Sequence, residues 1–159
     1  MTVYDWIIEI GSFMALLYSF RPLLFFNSLG DTKIPIHYNI YGQVDGWGDR
    51  DFLLLLPLLA LVFYIGFSIL GKHYKKFNYP VKVTAQNASS VYKLGARMMR
   101  HLKFFIILIF AYINNVSLSI SMGKENSLNG FVMIFLLCSF FISVFFFSIK
   151  IIKLKKSNI

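Results

Sequence analysis

The chain has 159 residues, of which 57% are hydrophobic and 14% charged, with a mean hydropathy of +0.65 and a net charge of +9. It is too apolar and too charge-poor for an ordinary soluble domain, so a bilayer is its natural solvent. Phenylalanines in long uncharged runs, rather than in alternation with polar residues, favour helical spans over a β-barrel, and the basic residues gather beside the apolar runs, where they set topology rather than bind nucleic acid.

The first apolar run, residues 6–26, has the roughly 20 residues that a helix needs to cross a hydrocarbon core. Glu9 and Arg21 interrupt it, each close enough to an interface for its side chain to snorkel. Asp5 and Glu9 stand at i and i+4 on one face at the positive helix end, where pairing with a basic segment is expected. Arg21 is expected to pair with Asp31 or a neighbouring carboxylate. The run lacks a basic segment before it and a small-residue cleavage pattern after it, so it reads as a retained span.

Residues 27–51 form the next connection, with Asp31, Asp45, Asp49 and Asp51 against Lys33 and Arg50, a balance that places it outside. β-Branched and aromatic residues from Ile34 to Tyr41, followed by Gly42, Asp45-Gly46 and Gly48, predict a compact, ordered loop. Tyr38, Tyr41 and Trp47 have the apolar body and polar edge of headgroup anchors. His37, Asp45 and Asp49 have the ligand types of a zinc or manganese site. The competing reading has His37 and Asn39 bonding loop backbone while Asp49 or Asp51 caps the second span.

The order Ile34-Pro35-Ile36-His37-Tyr38-Asn39, then Gly42 and Asp45, between two transmembrane helices resembles the domain of unknown function numbered 1648. The resemblance covers roughly residues 6–70 and implies a two-helix domain over 1–75. That domain also forms the N-terminal part of SdpI-type bacterial immunity proteins. The resemblance therefore implies recognition of a peptide or protein through the outer loop, with His37, Asn39, Gly42, Asp45 and Trp47 as the contact candidates.

A second span is expected over 52–70, and the connection 71–103 then carries only bases among its charged residues, which makes it cytoplasmic. Within 76–103, Val91, Leu94, Met98 and Leu102 share one helical face and Lys93, Arg97 and Arg100 another. This predicts a basic amphipathic helix over 85–101 that enters the third span and either lies on the anionic lipid surface or docks a protein partner. The third span, 104–121, holds Asn114 and Asn115, amides that must find partners inside the protein. The fourth, 131–148, holds the single cysteine, Cys138, so neither a disulfide within the chain nor a cysteine metal cluster is available. Lys150, Lys153, Lys155 and Lys156 make the tail cytoplasmic.

The sequence thus predicts an all-α integral membrane protein of the bacterial inner membrane, with four transmembrane helices and both termini inside. Residues 104–159 form a helical hairpin with a basic tail. The chain has no phosphate loop, nucleophile elbow, HExxH or CxxC, so neither enzyme activity nor a cofactor is expected. Two functions fit: a binding or immunity protein whose partners are the bilayer and a peptide toxin or another membrane protein, and an accessory subunit of a transport or secretion complex. A metal-dependent membrane enzyme centred on His37 is the third.

Overall fold

The computed structural model describes residues 1–154, so the expected tail positions Lys155 and Lys156 lie outside the described residues. Among the described residues four helical stretches are apolar and long enough to cross a membrane, built on α1 (Val3–Ser19), α2 (Leu55–Lys72), α3 (Ala88–Ser121) and α4 (Gly130–Lys153). Each expected span falls within one of them once the 3-10 turns Arg21–Leu29 and Arg50–Leu54 are counted as extensions of α1 and α2. Between these extensions lies an antiparallel hairpin of β1 (Ile34–Tyr38) and β2 (Val44–Gly48). The expected ordered loop is therefore a small sheet set on a helical bundle.

Local chemistry places the helix ends. Thr2 accepts a hydrogen bond from the Asp5 amide while Asp5 Oδ2 accepts one from the Thr2 amide at 2.8 Å, a reciprocal box that starts α1. Pro22, with no N–H to continue the α-helical ladder, stands where α1 gives way to 3-10 turns. Asn129 Oδ1 accepts from the amides of Phe131 and Val132 at 3.0 and 3.3 Å and starts α4.

α3 is the hub: α1, α2 and α4 all pack on it. Ala15, Leu16, Ala60 and Ile107 form the central cluster, where two alanines let α1 and α2 approach α3 closely. The outward faces of α2 and α4 present Val62, Ile65, Ile142 and Phe145, as lipid-facing helices do. α3 runs unbroken from 88 to 121 and carries the expected amphipathic helix into the third span. Gly95 in its first half leaves room for Tyr79, whose hydroxyl would lie 2.2 Å from an added Cβ.

Charges hold α1 to α3. Lys103 has only 2% of its side chain exposed; its Nζ is bonded to Glu9 Oε1 and, at 3.1 Å, to Ser68 Oγ, and lies 4.4 Å from the centre of the Tyr64 ring. Arg97 donates from Nε to Asp5 Oδ1 and from Nη2 to Thr2 Oγ1, both at 2.8 Å. The pairing expected of Asp5 and Glu9 with the basic segment is present. Removing one partner of a buried pair costs about 3–5 kcal/mol, because the other charge is stranded. Glu9→Gln should therefore lower the thermal midpoint in detergent sharply, whereas Glu125→Gln in the α3–α4 connection should leave it within error; equal midpoints for the two would refute the assignment.

Candidate functional site

The hairpin is irregular in a way that sorts its side chains. Ile34 pairs with Gly48, Pro35 with Trp47, His37 with Gly46 and Tyr38 with Val44, and the register slips on either side of His37. His37 faces outward with Nδ1 at 2.5 Å from Asp45 Oδ1. Tyr38 turns inward, its hydroxyl 2.7 Å from Ser117 Oγ on α3, and burial pushes its pKa upward. This corrects its expected headgroup position; Trp47 and Tyr41 remain exposed.

Asn39 builds the turn. Its Oδ1 accepts from the amides of Tyr41 and Gln43 at 2.9 and 3.1 Å, and its Nδ2 donates to Gln43 Oε1 at 3.0 Å. Gly42, at φ +79°, offers its carbonyl to the Leu128 amide at 2.8 Å, and any Cβ there would sit 2.1 Å from Leu128 O. The tip of the hairpin is thereby docked on the α3–α4 connection.

At the base of the hairpin Lys33 bonds Asp49, which holds that carboxyl below and the ammonium above their ordinary values. The Asp49 pKa is lowered, so this exposed pair is present above the carboxylate range and is lost as pH falls through the depressed value. The engagement also corrects two expectations. Asp49 makes no side-chain cap at the 3-10 turn leading into α2, and neither does Asp51. Asp49 bonds Lys33 while His37 bonds Asp45, and among the described residues no three His, Cys, Asp or Glu side chains converge as a metal site.

Beneath the hairpin lies a groove of about 710 Å³. Its roof is β1 with Asn39, Ile40 and Gly42; its walls are Phe52, Leu55 and Leu56 on one side and Leu128, Met133, Ile134 and Leu137 on the other; its floor is Ile113, Asn114 and Ser117 of α3. Asn114 donates from Nδ2 to the carbonyls of Ser19 and Leu53 at 3.1 and 3.2 Å. The arrangement is an apolar cleft with polar groups at rim and floor, the usual character of a small-ligand site. Of the expected contact residues, His37, Asn39 and Gly42 line it; Asp45 reaches it only through His37, and Trp47 stands apart.

Tyr38, Ser117 and the α4 wall belong to this site and were not singled out from sequence for it, since nothing local signals that the 122–130 connection docks on the hairpin. Arg21, expected to meet Asp31, instead donates from Nη1 to Asn115 Oδ1 at 2.9 Å and lies over the Tyr18 and Phe25 rings. Asn115 in turn donates from Nδ2 to the carbonyls of Tyr18 and Ala111 at 3.1 and 2.9 Å. At the opposite end of the bundle Lys93 is exposed, whereas Arg97 and Arg100 face Asp5 and Glu9 rather than lying free on a lipid surface.

Residues 13–61 match the family described as Domain of unknown function (DUF1648). The match runs from α1 through the hairpin into α2 and contains all of the residues from Ile34 to Asp45 on which the resemblance was read. It supplies the roof and one wall of the groove; the floor and the other wall come from α3, its connection to α4 and α4 itself. No curated protein and no solved structure matches the chain.

Gly42→Ala should cost about 1–3 kcal/mol through the positive φ and the collision with Leu128. Amide exchange should then quicken at Gln43 and Leu128 while α1 keeps its protection. Unchanged exchange at both positions would show that the hairpin tip is not docked as described.

Proposed function

We propose that this chain is a small binding protein of the bacterial cytoplasmic membrane, with both termini in the cytoplasm, that holds the apolar part of a cationic peptide in its outer groove. The observation that carries the reading is the groove itself: apolar walls large enough for several side chains, closed above by a hairpin clamped across its base by Lys33 and Asp49 and tied to the bundle at its middle and tip. Orientation rests on loop charge. The acidic 27–51 connection is favoured outside, and the basic 71–103 connection, with Lys150 and Lys153, inside.

Acid excess in the 27–51 connection attracts positive charge from solution, and the groove then removes apolar surface from water, worth about 25 cal/mol per Å² buried. Asn39 and Asn114 supply polar groups at rim and floor for a backbone or amide of the bound segment. His37, held by Asp45, stands beside them at the opening. The resemblance to immunity proteins supports a secreted toxin as the peptide. The reading assigns the chain no reaction.

A second reading, an accessory subunit of a larger membrane complex, is favoured by α4, which packs on α3 and leaves Phe135, Ile142 and Phe145 facing outward. Recovery of a stoichiometric membrane partner in mild detergent would favour it over the first.

Reporter fusions after Ser89 should register in the cytoplasm and a fusion at Gly46 outside; the reverse pattern would refute the orientation. Filling the groove by Ile134→Trp should abolish binding of a cationic amphipathic peptide to the purified chain, and should sensitise cells to secreted peptide toxin as gene deletion does. Phe145→Trp on the outward face should do neither. Peptide binding unaltered by Ile134→Trp would overturn the groove as its site.

A further inference from the structure

At the opposite end of the bundle the charge balance does not close. Asp5 and Glu9 face Arg97, Arg100 and Lys103, and two cavities of about 380 Å³ each open beside them, one bordered by Lys93 and the other by Lys72. The two carboxylates are already committed. Asp5 takes the hydrogen bonds of Arg97 and of the Thr2 amide, and Glu9 takes that of Lys103.

Arg100 is the cation left over. It borders both cavities, about one fifth of its side chain is exposed (22%), and its nearest anions are Asp5 Oδ1 at 3.6 Å and Glu9 Oε2 at 3.9 Å, beyond hydrogen-bond reach. Among the described residues its guanidinium makes no hydrogen bond, although the group carries five donors suited to an oxyanion. With Arg97, Arg100 and Lys103 set against Asp5 and Glu9 alone, the cluster keeps an excess of positive charge in a partly desolvated site, and an anion entering the cavities would balance it.

Depth in the membrane narrows the anion. Arg100 is level with the first two turns of α1, where half-exposed Tyr4 and Trp6 mark the headgroup zone, and Trp6 itself borders one cavity. Hydroxyl groups of Ser89 and Tyr74 line the other cavity and can donate to phosphate oxygens. We propose that these paired cavities form a phosphate site, with Arg100 binding the phosphate of an anionic lipid headgroup and Lys93 and Lys72, at the borders of the two cavities, adding to the positive field that holds it. The site is separate from the outer groove, and neither proposal depends on the other.

The test uses the full chain purified in mild detergent and titrated with phosphatidylglycerol, with neutral diacylglycerol, and with phosphatidylglycerol in the presence of excess inorganic phosphate, counting retained lipid by native mass spectrometry. One phosphatidylglycerol should be retained in preference to diacylglycerol. Arg100→Gln should weaken retention about fivefold or more, and Lys93→Gln and Lys72→Gln about fivefold each, from the contribution of one basic residue near an anionic surface. Arg100→Lys should keep part of it, and Lys124→Gln at the other end should change nothing.

If Arg100→Gln does not fold, Lys93→Gln and Lys72→Gln still decide, because both side chains are exposed. Displacement of the lipid by inorganic phosphate would assign the site to a soluble phosphate, and retention in its presence assigns it to the headgroup. Equal retention of phosphatidylglycerol and diacylglycerol, or retention indifferent to all three positions in folded protein, would overturn the proposal.

Discussion

Hydrocarbon offers no hydrogen-bond partner, so every polar group that α3 carries into the bilayer must be answered by a neighbouring segment. Lys103 is answered by Glu9 of α1 and Ser68 of α2, Asn114 by the carbonyls of Ser19 and Leu53, Asn115 by Tyr18 and Arg21, and Ser117 by Tyr38 of the hairpin. These contacts follow one another along a single helix. Together they tie α1, α2 and β1 to α3, and the apolar clusters fill the spaces between them.

The same row of contacts makes the outer groove. With the carbonyls at the ends of the first two spans fixed by Asn114 and the hairpin fixed by Ser117, the cleft between α2 and α4 has a rigid floor and a tethered roof. At the other end the row finishes in arginines that the available carboxylates only partly balance. One helix thus presents an apolar site with an acidic rim at one end and a basic site at the other.

The spans were legible in the sequence because 20-residue apolar runs have few alternatives, and the loop between the first two was legible as extended because Ile34–Tyr41 is rich in β-branched and aromatic residues. What was not legible depends on contacts between distant segments. Tyr38 and His37 are adjacent and equally amphipathic, and only the slipped register sends one inward and the other out. Arg21 has a nearby acid in Asp31, yet an amide 94 residues away takes its hydrogen bond. The passage of the amphipathic helix into the third span was legible, but the burial of Lys103 was not, because a lysine reads as a membrane boundary and its burial depends on a glutamate from α1.

The bundle stands on charge pairing between α1 and α3, and a double-mutant cycle on Glu9 and Lys103 tests that pairing most directly. With Glu9→Gln, Lys103→Met and the two combined, unfolding in detergent should show the double variant more stable than Glu9→Gln alone, because methionine removes the stranded charge and keeps most of the volume. Strictly additive losses would mean that the two side chains do not hold each other, and would contradict the account.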